Sequence, residues 1–287
     1  MITLTGCRTS RCIALLSCLL AFASAAAAMD NAPWSAGTAY TLPRGRWEKG
    51  LFQPLRYGQT ERLEWATHPV LDLVMPNLRV KVAHRKFKGW NLATRWGFHY
   101  PTPLLRLVRR WDIGGLISPD PDIPDIPRIV AIRGELLASR FLSPSLGLTC
   151  RGGVSVSLKS GVLDKRTTID IPLVFPRMAA YLHGYQLNLG LDMLVDLPGR
   201  WSILGDAELL MIPGAEESFA LELGGWLIWN RSERFRVVIG YLLTYGEYPY
   251  GRHWQLMPYP LAFGPGLRML PIPMIDLQWA RQRKAKR

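Results

Sequence analysis

Residues 185–197 carry a two-residue hydrophobic period along their whole length. Tyr185, Leu187, Leu189, Leu191, Met193, Val195 and Leu197 are apolar, and Gln186, Asn188, Gly190, Asp192 and Asp196 stand between them. Leu194 alone breaks the rhythm. Successive side chains of a strand point to opposite faces, so the segment has one greasy and one wet face. It is longer than the usual strand of about 5 to 6 residues and suits the roughly 9 to 11 that a tilted strand needs to cross a bilayer. One face is built for lipid and the other for water.

The same period recurs along the chain. Leu78, Val80 and Val82 alternate with Arg79 and Lys81, and Leu92, Thr94, Trp96, Phe98 and Tyr100 with Ala93, Arg95, Gly97 and His99. Further strands are expected near 130–139, 154–159, 201–212, 219–230, 235–245 and 275–281, with weaker candidates at 47–56, 62–68, 167–175 and 254–263. Leu204, Leu210 and Ile212 dilute the contrast in the 201–212 run. Polar or Pro/Gly turns at 197–200, 212–214 and 230–233 join neighbours tightly, which predicts an up-and-down meander. The fold class is therefore all-β and antiparallel, with about 12 strands (range about 10 to 14), because closure of a single-chain barrel favours an even number. The exception is residues 101–127, with Pro101, Pro103, Pro119, Pro121, Pro124 and Pro127, which read as a long surface connection, folding over a barrel mouth being the alternative.

The N-terminus predicts export. Arg8 and Arg11 precede an apolar stretch at 12–22, and Ala23-Ser24-Ala25 or Ala26-Ala27-Ala28 offers a small-residue cleavage site. Residues 1–28 read as a signal peptide, preferred to a retained helix or a lipoprotein box ending at Cys18. An N-terminal segment at 29–45, a barrel at 46–280 and a basic tail at 281–287 would follow. Three of the four cysteines fall in the signal, which leaves Cys150 as an inert strand residue and excludes an intrachain disulfide. No metal site or cofactor is implied. The net charge of +13 owes much to Arg8, Arg11 and the final Arg281, Arg283, Lys284, Lys286 and Arg287. The remaining basic residues are not interleaved with stacking aromatics, which argues against nucleic acid. Anionic lipid headgroups, including lipopolysaccharide phosphates, are the expected partners.

Catalytic signatures are missing: the five histidines are widely spaced, and neither G-x-S-x-G nor H-E-x-x-H occurs. Asp192 and Asp196, with Asp206 and Glu208 on the next strand, are expected to face inward. There they would pair with Arg79, Arg95, Arg133, Arg234 and Arg236 as a lumen charge network. Trp65, Trp96, Trp201, Trp229 and Tyr245 are expected at the bilayer interface, where amphipathic rings settle.

Signal peptide, alternating strands, short turns and aromatic strand ends together resemble bacterial outer-membrane β-barrel proteins across residues 46–280. That resemblance implies insertion by the barrel assembly machinery and a non-enzymatic role as a narrow pore or structural barrel, and it transfers no functional motif. Three features pull toward a periplasmic or secreted β-sandwich that binds a ligand. The chain runs past Trp279 instead of ending on an aromatic, and Pro258, Pro260, Pro265, Pro271 and Pro273 would interrupt a ladder. Counting 47–56 as one strand also puts the 101–127 connection on the rim that carries short turns. A membrane-embedded lipid hydrolase using His183 or His253 is the third reading.

Overall fold

The computed structural model describes residues 32–110, 124–164, 179–212, 219–246, 255–257 and 274–282. The signal peptide, the candidate strand at 167–175, His253 and the prolines from Pro258 to Pro273 lie outside them.

The strands are β1 (Arg46–Gly50), β2 (Leu55–Gly58), β3 (Leu63–Thr67), β4 (Asn77–Ala83), β5 (Asn91–His99), β6 (Ile129–Ser143), β7 (Leu146–Lys159), β8 (Tyr185–Asp196), β9 (Trp201–Met211), β10 (Phe219–Ser232), β11 (Phe235–Gly246), β12 (Gln255–Met257) and β13 (Met274–Gln282). β1 to β11 pair antiparallel in chain order. β11 then pairs with β13 through Phe235–Gly240, and β13 pairs with β1. Twelve strands thus close on themselves, and closure leaves no unpaired edge. β12 is an accessory of three residues on the end of β11. A two-sheet sandwich is ruled out by this single closed sheet.

The segment read as one strand at 47–56 is two, β1 and β2, turned by residues 51–54. The asset of that split is parity. The turns at 59–62, 84–90, 144–145, 197–200 and 233–234 all fall on the rim where β1 begins, here the near rim. The longer connections at 68–76, 100–128 and 160–184 fall on the opposite, far rim. The proline-rich connection is therefore with the other long loops, as in barrels of this architecture. Pro54 ends the turn before β2, where its missing N–H takes nothing from the ladder.

β8 shows how the sequence period becomes a wall. Tyr185, Leu187, Leu189, Leu191 and Met193 are exposed on the outside, and Gln186 and Asn188 are buried within. The outward face is continued by Ile132 and Leu136 of β6, Val154 and Val156 of β7 and Ile203 of β9. Leu194, Leu204 and Leu210, which blurred the pattern, face inward: Leu194 pairs with Leu204, and Leu210 with Asn188. Cys150 is exposed on the outer face of β7.

Among the described residues three short helices lie on the far-rim side: α1 (Pro69–Asp72), α2 (Thr102–Arg110) and α3 (Ala179–His183). Leu105 of α2 and Tyr181 of α3 face inward. Leu105 and Tyr181 pack with Ile126, Ile129, Ala131 and Leu163 in one buried apolar cluster. Ser157 Oγ donates to the Ala180 carbonyl and Lys159 Nζ to that of Leu182, both at 2.5 Å. Thr102 Oγ1 ties the other end by accepting the Ile129 amide at 2.7 Å.

Candidate functional site: an occupied lumen

Residues 32–43 run inside the barrel. Their side chains and backbone meet inward-facing residues of β1, β2, β4, β5, β6, β8 and β11, which only an interior position allows. The Trp34 amide donates to Glu48 Oε1 at 2.8 Å, and the Leu42 amide to Glu64 Oε2 at 3.0 Å. The Ala39 amide donates to Ser139 Oγ at 2.8 Å. Asn91 Nδ2 donates to the Tyr40 hydroxyl at 3.2 Å, and the Tyr40 ring lies 5.8 Å from that of Phe141. Across the lumen, a Cβ on Gly37 would stand 3.1 Å from Asp192 Oδ2.

Lys81 of β4 is the main anchor. Its ammonium donates to the carbonyls of Ser35 and Thr38, each at 3.2 Å, and of Tyr40 at 2.6 Å, and lies 3.3 Å from Glu64. Three carbonyls converging on one cation fold the segment back on itself, as a bound ion would. Arg95 reaches the Ala36 carbonyl at 3.4 Å, and Arg56 the Ser35 hydroxyl at 3.2 Å. The Trp34 ring meets two guanidinium groups, 5.4 Å from Arg46 and 4.5 Å from Arg236. Its φ of 57° is a left-handed conformation uncommon for a bulky residue, held by the Glu48 bond and these cations.

Beneath this segment lies a chain of buried ion pairs. Glu48, with no exposed side-chain surface, accepts from Arg46 at 2.8 Å and from Arg56 at 2.9 Å. Arg56 donates in turn to both oxygens of Glu64, at 2.8 Å each. Charges this buried require partners on every side, because leaving one unpaired in a low-dielectric interior costs several kcal/mol. The row Glu48, Arg56, Ala66 and Arg79 follows the pairing register across β1 to β4.

A second network crosses β5 to β9. Arg95 donates to Glu135 at 2.7 Å, and Arg133 to Glu135 at 2.8 Å and Glu208 at 2.9 Å. Arg151 donates to Asp192 at 2.8 Å and lies 3.6 Å from Glu208. To reach Asp192 it lies across Gly190, where a Cβ would sit 2.8 Å from its Nε.

Among the sequence-derived candidates, Asp192, Glu208, Arg95 and Arg133 are thus brought together. Asp206 instead accepts from Trp226 Nε1 at 3.4 Å. Asp196 is exposed at the end of β8, bonded to Ser202 at 2.7 Å. Arg234 occupies the two-residue turn at the near rim, away from both networks. Arg236 serves Trp34 and Gln278 Oε1, the latter at 2.5 Å. Arg79 has no carboxylate partner among the described residues.

Glu48, Arg56, Glu64, Lys81, Glu135 and Arg151 were not among those candidates. A signal existed: Trp47-Glu48, Arg56-Tyr57 and Glu64-Trp65 each set an aromatic beside a charge, as alternating faces require. It was hidden because β1 and β2 are too short to show a period.

Of the aromatics, Trp201 and Trp229 pair across β9 and β10 beside the near rim, with ring centroids 6.3 Å apart. Tyr245 meets Phe219 at 6.2 Å toward the far rim. Trp65 and Trp96 lie within their strands, Trp65 bonded through Nε1 to Gln59 and Trp96 over Gly134, where a Cβ would sit 2.8 Å from the indole. His183 closes α3, and among the described residues no cluster of His, Cys, Asp and Glu has the form of a metal site.

No family model matches the chain, and no curated protein does. Several solved structures, the following two among them, are similar to it. One is described as "Bacterial polysaccharide outer membrane secretin", at 10% identity and a TM-score of 0.42 over 84% of this chain and 77% of that one. The other is "CymD monoaromatic hydrocarbon channel", at 8% identity and a TM-score of 0.35 over 84% of this chain and 87% of that one. At these scores neither match transfers a role to this chain.

Proposed function

We propose that the protein is a non-enzymatic barrel of the bacterial outer membrane that works as a narrow channel, closed at rest by its own N-terminal segment. The observation that carries this reading is Lys81 holding the carbonyls of Ser35, Thr38 and Tyr40 inside the lumen. A plug held by Lys81, by Arg56, Arg95 and the two guanidinium groups at Trp34, and by a few hydrogen bonds is held by polar contacts that can exchange, unlike one sealed by a large apolar core. Membrane insertion is supported by the outer face, whose exposed Leu189, Leu191, Ile203 and Leu136 would form an untenable apolar surface in water. Lipids or lipopolysaccharide would contact that face, and the barrel assembly machinery would place it in the membrane.

The test is current through planar bilayers, with folding checked by heat-modifiable migration on gels. The full chain should be nearly silent, and a variant lacking residues 32–42 should give stable stepwise currents. A folded deletion variant that stays silent would replace the channel with a structural barrel. Recovery of the native protein in the soluble periplasm would overturn both.

A further inference from the structure

Arg79 and Lys81 stand two residues apart on β4 and face the same lumen, yet their situations differ. Lys81 is fully bonded by the plug and Glu64. The Arg79 guanidinium has no bonded partner among the described residues. The charges acting on it are Arg95, Arg133 and Arg56, with Glu135 as the opposing carboxylate. The pairing register sets Ala66 on one side of it and Gly97 on the other, so small residues leave its fork room. Arg133, Ser155 and Gln186 continue that inward row.

The neighbours carry spare hydrogen-bonding capacity. Arg133 has an unbonded Nε, although its Nη2 serves Glu135 and Glu208. His99 is 4% exposed with Nδ1 unpartnered, and its Nε2 would lie 3.1 Å from a Cβ on Gly97. Gln186 is 2% exposed with Oε1 unpartnered, and rotating its amide by a half turn would present a donor instead. His99 Nε2, Arg133 Cβ and Arg79 Cγ all lie within 4 Å of one point, the position a Cβ on Gly97 would take, so two guanidinium-bearing side chains and an imidazole converge there, with Ser155 and Gln186 next along the row. Such a set fits an oxyanion, since a guanidinium fork takes two oxygens in its plane.

We propose that Arg79, Arg133 and His99 form a binding site for a small soluble oxyanion, a carboxylate or phosphate group, on the far-rim side of the plug. Arg79 supplies the bidentate grip, and Arg133 Nε and the His99 ring close the pocket. The site requires the closed barrel alone, so it stands apart from the gating reading.

Titration calorimetry of the folded full-length protein in detergent at low ionic strength tests this, with inorganic phosphate and acetate as probes. Saturable binding of at least one probe is expected, weakened tenfold or more by Arg79→Gln and unchanged by Arg200→Gln at the near rim. Melting gives a second readout. Without anion, Arg79→Gln should melt above the native protein, since an uncompensated enclosed charge has gone, and added anion should raise only the native value. Absence of saturable binding by the native protein, or equal binding by Arg79→Gln, overturns the site. An Arg79→Gln protein that melts lower and ignores anion would make the residue structural and also overturn it.

Discussion

β1 to β4 are five, four, five and seven residues long, whereas β6 to β11 run from 11 to 15. The barrel thus has a low side and a high side, and each uses its inward charges differently. On the low side Glu48, Arg56, Glu64 and Lys81 are committed to one another and to the N-terminal segment. On the high side Arg133 and Arg151 mostly bridge strands of the wall itself. The outer surfaces differ as well. Strand residues supply the apolar face of the high side, while beyond the short strands Leu51, Val70 and Leu73, from a turn and the α1 region, extend it. A short strand cannot span roughly 25 Å of apolar belt, so irregular segments must supply part of it. The low side is built around its cargo of chain, and the high side around its own rigidity.

Breaking the low side should have the largest effect. Arg56→Met takes two hydrogen bonds from Glu64 and one from Glu48, leaving Arg46 and Lys81 to hold two almost fully buried carboxylates, and should destabilise the protein by about 3 to 5 kcal/mol. Urea unfolding in lipid vesicles, followed by tryptophan fluorescence, measures this. Lys81→Met should free the plug while sparing the wall. Hydrogen exchange of the amides of residues 35–41 should accelerate at least tenfold, with the β6 to β9 ladders unchanged, and parallel loss of protection in both would refute the separation.

The corresponding change on the high side should be milder. Arg133→Met leaves Glu135 bonded to Arg95 and Glu208 near Arg151, so about 1 to 3 kcal/mol is expected, with plug protection intact. Outside the barrel, Gly134→Val drives a side chain into the Trp96 indole, for about 1 to 3 kcal/mol of overpacking. The smallest effect belongs to Cys150→Ser, within about 0.5 kcal/mol, the side chain being exposed. A spin label on Cys150 should relax faster with lipid-soluble oxygen than with a water-soluble nickel chelate; the reverse order would deny lipid contact at β7.

The long strands were legible in the sequence because their period repeats over many residues. Tyr185 to Met193 needed no neighbours to declare two faces. β1 and β2 were read as one strand, since four or five residues with a proline between them leave no period to count. The total of about 12 strands nevertheless agrees with the structure: 47–56 divides into β1 and β2, the described residues of 254–263 form only the accessory β12, and the candidate at 167–175 lies outside the described residues. Inward-facing leucines such as Leu204 and Leu210 looked like noise because alternation assumes a wet interior. Asp192 and Arg133 were recognised as inward charges, but their respective partners Arg151 and Glu135 and the buried Glu48, Arg56 and Glu64 were not, because ion pairing depends on which strands the closed wall brings together.

By itself the sequence determined that these residues make long two-faced strands joined by tight turns, because side-chain alternation is a local property of extended backbone. Closure of the barrel, the choice of partner for each charge and the placing of residues 32–43 in the lumen were decided by tertiary structure. Those outcomes depend on which inward groups remain unpaired once the wall has closed, and no local window of the chain contains that information. The strand at 185–197 specified a wall, and Lys81 shows what the wall encloses.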